Sequence, residues 1–336
     1  MRLASTLTLS GLVTGVVLAQ TPAAAPPSAV TTGFMHAIHA TSDVEKTLAF
    51  YRDVFGLSGQ VRDFANQAVP ILTNSPGVTL RVSMLALPGQ GFNFELTQFS
   101  NVERHAAQPE IFDPGAPHMK FLVRDIDAVV ANVKKAGTPI ITRPGAPVSI
   151  TSALIGNGKA IFFRDPDGYI VEAIQVPAAA DAPAGNVLGS IMGLTVRDMD
   201  ESTKFWHGML GWEMSGDARF SRDTAMADLM GIPNGGEFRT MSGVIPGSTA
   251  RIEFIEFKGM PRKEFSLRVP DPGSSGIAIR VAAIHELLPR MKAQGVRVLS
   301  KDGELVVWSP TVRNVFVKDP NGLNIELVGN APPASK

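Results

Sequence analysis

Arg164-Asp-Pro-Asp-Gly168-Tyr-Ile-Val-Glu172 and Lys318-Asp-Pro-Asn-Gly322-Leu-Asn-Ile-Glu326 are one pattern written twice. A second echo precedes each copy: Asp43-Val-Glu-Lys-Thr-Leu-Ala-Phe-Tyr51 is matched by Asp198-Met-Asp-Glu-Ser-Thr-Lys-Phe-Trp206. Gly56-Leu57 closes the first and Gly211-Trp212 the second. The offset is about 155 residues throughout, and helix, turn and strand signals recur in the same order, so the chain carries one unit twice. The Ala/Pro-rich stretch from Pro177 to Asn186 separates the copies as a linker. The expected modules are therefore residues 33–176 and 187–330, with a short tail at 331–336.

Each module divides again. In the first, a strand near Met35 to Thr41 precedes a helix for which Ser42 and Glu45 form a capping box. Val44, Leu48, Tyr51 and Phe55 fall on one face of that helix, and Gly56 stops it. The second half repeats the scheme with a strand at Met119 to Val123. Ile126, Val129, Val130 and Val133 then stripe a helix ended by Gly137. Strands at Ala160 to Arg164 and Tyr169 to Val176 flank the Asp165-Pro-Asp-Gly168 turn. The pattern is β-α-β-β-β, run four times, an α+β fold. Pro289, inside the last helix, is expected to kink it.

Composition narrows the chemistry. The chain has 336 residues, 44% of them hydrophobic, enough for a core in each module. Lysine plus arginine equals aspartate plus glutamate, 31 of each, and no long basic run occurs, which argues against nucleic acid as a partner. Cysteine is absent, which excludes disulfides, thiolate metal sites and cysteine nucleophiles. Any metal must be held by His, Asp, Glu or water. At the N-terminus, Arg2, the apolar run Leu7 to Leu18 and the small-residue site Val17-Leu18-Ala19 read as a signal peptide over residues 1–19. The run is too short for a membrane span, although an uncleaved anchor is the alternative reading. Residues 20–32 are then a tether, and the mature protein is periplasmic or secreted, with no membrane association after cleavage.

At this point the chain resembles the vicinal oxygen chelate superfamily, which includes glyoxalases, bleomycin-resistance proteins and extradiol dioxygenases. The matching pieces are His36-Ala-Ile-His-Ala-Thr-Ser-Asp43 leading into Phe50-Tyr51-Arg-Asp-Val-Phe-Gly56, then His118-Met-Lys-Phe-Leu-Val-Arg-Asp125, then Asp165-Pro-Asp-Gly168 leading to Glu172. The resemblance implies tandem modules, each made of two paired β-α-β-β-β units that form a cup-shaped sheet. It implies one divalent metal ion in the first module, held by His36, His118, Glu172 and Glu95. Strand alternation agrees: His118, Lys120 and Leu122 share a face, and Asn93, Glu95 and Thr97 form a polar one. Two imidazoles and one or two carboxylates suit Zn, Ni, Co, Mn or Fe(II). Glu95 is either a ligand or an ion-pair partner of Lys120, because its equivalent Glu253 persists in the second module. There Ile191 and Gly276 replace His36 and His118 while Glu253 and Glu326 remain, so that module is expected to hold no metal. His39 faces away from His36 toward the helices, and His105, His207 and His285 receive no role.

The function implied is a metal-dependent lyase or isomerase, ahead of dioxygenase chemistry, on a small substrate that chelates the ion through vicinal oxygens. Glu172 or Glu95 would act as base, and Lys120, Asn93 and Thr97 would contact the substrate. The alternative is a non-catalytic small-molecule binding or sequestering protein. A homodimer is compatible with either. The N-terminal reading is checked by sequencing the native protein, which should begin near Gln20 in a fraction outside the cytoplasm; an intact Met1 in the cytoplasm contradicts it.

Overall fold

A computed structural model describes residues 30–89, 92–152 and 155–332; the expected signal peptide lies outside these residues. The first unit comprises β1 (Thr31–Thr41), α1 (Val44–Phe55), β2 (Arg62–Phe64), α2 (Val69–Leu72), β3 (Thr79–Ala86) and β4 (Asn93–Ser100). The second comprises β5 (Pro117–Val123), α3 (Ile126–Ala136), β6 (Val148–Ser152), β7 (Gly156–Arg164) and β8 (Ile170–Gln175). The third runs through β9 (Val187–Val196), α4 (Met199–Thr203), β10 (Glu213–Gly216), α5 (Thr224–Leu229), β11 (Glu237–Val244) and β12 (Arg251–Lys258). The fourth runs through β13 (Ser275–Val281), α6 (Ile284–Ala293), β14 (Val306–Ser309), β15 (Val312–Lys318) and β16 (Asn324–Asn330). A π-helical turn at Lys204–Met209 extends α4.

Local signals explain the helices. Asp43 caps α1 by accepting from the Lys46 N–H, and Gly56 ends it at φ 72°. The cap is thus Asp43, one residue after the expected Ser42, because Ser42 is drawn away to Asp167. Asp125 and Gly137 do the same for α3. Helix α6 runs through Pro289 as one element.

The strands form two curled eight-stranded sheets. The first has the order β14-β15-β16-β13-β1-β4-β3-β2 and the second β10-β11-β12-β9-β5-β8-β7-β6. Paired units in cup-shaped sheets are the expected architecture, but the pairing runs between modules. The first unit joins the fourth through an antiparallel seam of β1 and β13, with His36 opposite Ala278 and Ile38 opposite Gly276. The second joins the third through β5 and β9, with His118 opposite Gly193 and Lys120 opposite Ile191. The outer faces of both sheets pack with the helices into one core that includes Tyr51, Phe94, Phe121, Phe163, Trp206, Phe254 and Ile279.

The two units of the first module stay joined on this helical side. Asp165, in the turn before β8, accepts from His39 Nε2 at 2.8 Å and from the Tyr51 hydroxyl at 3.2 Å. Its other oxygen accepts from the backbone N–H groups of Asp167 and Tyr169. Asp167 accepts from Ser42 and Thr47, tying the turn to the start of α1. Burial opposes charge on His39, but Asp165 at contact distance more than offsets it, so its pKa is raised. The second module keeps the buried carboxyl group but not the imidazole: Leu194 and Trp206 stand in place of His39 and Tyr51, Asp319 accepts from the Asn321 and Leu323 N–H groups, and Asn321 bonds Ser202 and the Arg197 N–H.

Breaking a buried pair of this kind costs about 3–5 kcal/mol, because the remaining charge is left without a partner. His39→Gln should therefore lower unfolding free energy on that scale. A group with a raised folded pKa stabilises fully below its unfolded value and loses that contribution as pH rises through the folded one. The advantage of the unchanged protein over His39→Gln, measured by denaturant titration, should be greatest below about pH 6.5 and shrink above it.

Candidate functional site

The seams decide which side chains meet. On β1 and β4, in parallel register with Ile38 opposite Glu95, His36 and Glu95 turn into the first cup, where His36 Nε2 lies 3.2 Å from Glu95 Oε2. The third group is Glu326 on β16, brought in through β13. His118 and Glu172, on β5 and β8, belong to the second sheet. This corrects the expected ligand set: His36, Glu95, His118 and Glu172 do not converge, because β1 and β5 pair with the other module and not with each other. Each cup instead receives one histidine and two glutamates, His36, Glu95 and Glu326 in the first and His118, Glu172 and Glu253 in the second. Glu326 was assigned to a module without metal; it stands beside His36.

The first cup is open. Its cavity has a volume of about 330 Å³ and is lined chiefly by apolar side chains of the inner sheet face and of α2. Glu95 accepts from the Thr97 hydroxyl at 2.5 Å, and Glu326 from the Asn314 amide at 2.6 Å. Burial raises the Glu326 pKa; His36 and Asn314 oppose this, and the Glu95 carboxylate reinforces it. Phe64 and Trp308 stack at 6.0 Å at one end. Arg280 also lines the cavity, and among the described residues no acid pairs with it. Thr97 is in the cavity wall as expected, whereas Asn93 sits two residues before Glu95 on β4, opposite His36, outside that wall.

The second cup is filled. Phe162, Ile174, Leu229, Ile232, Phe238 and Phe257 pack into its interior. Lys120 Nζ lies 2.6 Å from Glu172 Oε2 and 2.5 Å from Glu253 Oε2. Lys120 was expected to contact substrate or to pair with Glu95 or Glu172; it is buried and pairs with Glu172 and with Glu253 of the other module. Burial lowers the Lys120 pKa, but the two carboxylates outweigh it and hold the ammonium charged. Glu172 is pushed up to about 7, first by burial, despite Lys120. His118 is fully buried with neither ring nitrogen hydrogen-bonded, and burial and then Lys120 hold its pKa well below the usual value. The His118 ring lies where a side chain on residue 193 would be: a Cβ there would stand 1.8 Å from Nε2, so only glycine fits.

A third acidic group, His39 with Asp165 and Asp167, has ligand atoms within 4.8 Å of one another. Its carboxylate oxygens are already engaged by Tyr51, Ser42, Thr47 and two backbone amides, as befits a structural clasp. No spacing rule in the sequence marks Glu326 or Asn314 as partners of His36.

Two curled sheets of repeated β-α-β-β-β units, each cup carrying a histidine and two glutamates, define the class to which the sequence comparison then gives a family. Residues 33–173 and 187–327 both match the Glyoxalase/Bleomycin resistance protein/Dioxygenase superfamily, and the chain belongs to it. A lactoylglutathione lyase of Arabidopsis thaliana is 28% identical over 185 residues, which are 54% of this chain and 55% of that protein. The chain thus spans about half the length of that relative. A 2-epi-5-epi-valiolone epimerase of Actinomyces is 26% identical over 149 residues, 43% of this chain and 80% of that one. Glyoxalase I of Zea mays has the same fold, with a TM-score of 0.56 at 21% identity over 88% of this chain and 92% of that one.

The fit of His118 against Gly193 makes a checkable pair. Gly193→Ala should cost about 1–3 kcal/mol through overpacking. In the double variant with His118→Ala most of that cost should disappear, a coupling read from thermal or denaturant unfolding; additive losses would show that the ring is not what excludes the methyl group.

Proposed function

We propose that the first cup is the working site of a metal-dependent enzyme of lyase or isomerase type, acting on a small molecule that presents vicinal oxygens to one divalent ion. The observation that supports it most is the convergence of His36, Glu95 and Glu326 on an open cavity, at a point where the other cup has Lys120 and this one has only Ala278. One imidazole and two carboxylates without a neighbouring ammonium suit Zn, Ni, Co, Mn or Fe(II). Gly276, at the place of the second histidine, supplies no ligand. The ion, when bound, would polarise the substrate oxygens and stabilise an enediolate-like state. Glu326, with its raised affinity for a proton, takes the role of base expected of Glu172, and Asn314 orients it. Glu95, steadied by Thr97, stays with His36. The apolar walls, the Phe64–Trp308 stack and the unpaired Arg280 favour a substrate with an apolar body and an anionic end.

The mainly apolar lining also favours a second reading, a non-catalytic protein that sequesters such a molecule. We further propose that the protein works outside the cytoplasm, on the strength of the N-terminal apolar run.

Ala278→Lys copies the second cup into the first and should abolish metal uptake while the fold, checked by circular dichroism, is kept. Asn314→Ala should weaken metal affinity roughly 10–100-fold, the scale of losing an outer-shell partner. Metal analysis and titration calorimetry read both. Uptake that survives Ala278→Lys and Glu326→Gln would place the ion outside the first cup, and an ion-free protein that binds only apolar ligands would favour the sequestering protein.

A further inference from the structure

In the second cup, Glu172 and Glu253 occupy the places that Glu326 and Glu95 hold in the first, and one ammonium sits between them. The lysine side chain is 7% exposed, and its Nζ lies 5.6 Å from the centre of the Phe162 ring. Its register partner across the seam is Ile191, and its counterpart in the first cup is Ala278. His118 supplies an imidazole that the ion pairs leave unused, fully buried with both nitrogens free of hydrogen bonds. Two carboxylates are therefore gathered at one point whose cation position is already taken by the ammonium, while the His118 ring lies beside them against Gly193. A divalent ion could enter only by driving a buried ammonium out from between two carboxylates, toward a wall of packed aromatic and aliphatic side chains. The tether to β5 keeps the local concentration of that ammonium high, so free metal competes against an intramolecular ligand.

We infer that the second cup is a masked metal site in which Lys120 serves as a built-in cation, so that no ion enters this cup. The lysine also bridges the modules, since Glu172 belongs to one and Glu253 to the other. A buried and a half-buried carboxylate facing each other would otherwise repel across β8, β5, β9 and β12.

The inference does not depend on whether the first cup holds metal. With His36→Ala and Glu326→Gln together removing the first cup's ligands, the full chain should bind no Co²⁺ or Ni²⁺. Adding Lys120→Ala should restore uptake of one ion per chain, with a rise in melting temperature on adding the metal. Uptake while Lys120 is present, or none in a folded Lys120→Ala variant, overturns it. A measurement on the unchanged protein guards against a variant that does not fold. Amine acylation followed by mass spectrometry should leave Lys120 unmodified at saturating Co²⁺ or Ni²⁺, and labelling of Lys120 that increases with metal would show that the ion displaces it.

Discussion

The antiparallel seams between β1 and β13 and between β5 and β9 govern everything else in this molecule. A four-stranded unit ending in an open β1 or β5 presents unpaired backbone groups along its edge. Each unit meets that need by pairing with a unit of the other module, which turns four short sheets into two long ones. The cups follow from this choice, because a cup contains whatever side chains the two joined units turn inward. His36 thus meets Glu326, and Lys120 meets Glu253, although each pair is far apart in the chain.

One position separates the two cups. Both present one imidazole and two carboxylates, which would carry excess negative charge in an apolar enclosure. In the second cup the excess is reduced by Lys120, held by Glu172 and Glu253, and the remaining space closes over with Phe162, Phe238 and Phe257. In the first, the methyl group of Ala278 can offer no charge, and Glu326 relies on Asn314 and on the neighbouring His36. The first cup consequently stays open and polar at its floor, and it alone keeps the character of a binding site. Duplication has left one cup free for ligands and used the other as a structural joint.

The opposite side of the first module shows the same economy of charge. His39, Asp165 and Asp167 form a buried clasp that holds the helix of one unit to the turn of the next, while the strands of those units belong to different sheets. The second module does the equivalent with Leu194, Trp206, Asp319 and Asn321, so versions of one joint with and without a histidine sit in one chain. The clasp has the composition of a metal site, but each of its carboxylate oxygens already accepts a hydrogen bond, whereas the first cup has a sparser composition and open space.

The sequence by itself determined the local structure and the repeat. Hydrophobic spacing around Val44 and Ile126, the stops at Gly56 and Gly137, and the turns at Asp165 and Asp319 act within a few residues of themselves, and so they are legible from order alone. Alternation along β1, β4 and β5 likewise placed His36, Glu95 and His118 on inward faces and His39 on the outward one. Which inward faces share a cup was decided only by the tertiary structure. The four units have nearly the same pattern, so β1 can satisfy its edge with β5 or with β13, and nothing local distinguishes them. The choice rests on long-range packing across the helical core, and through it on whether Lys120 or Ala278 stands beside a given pair of glutamates.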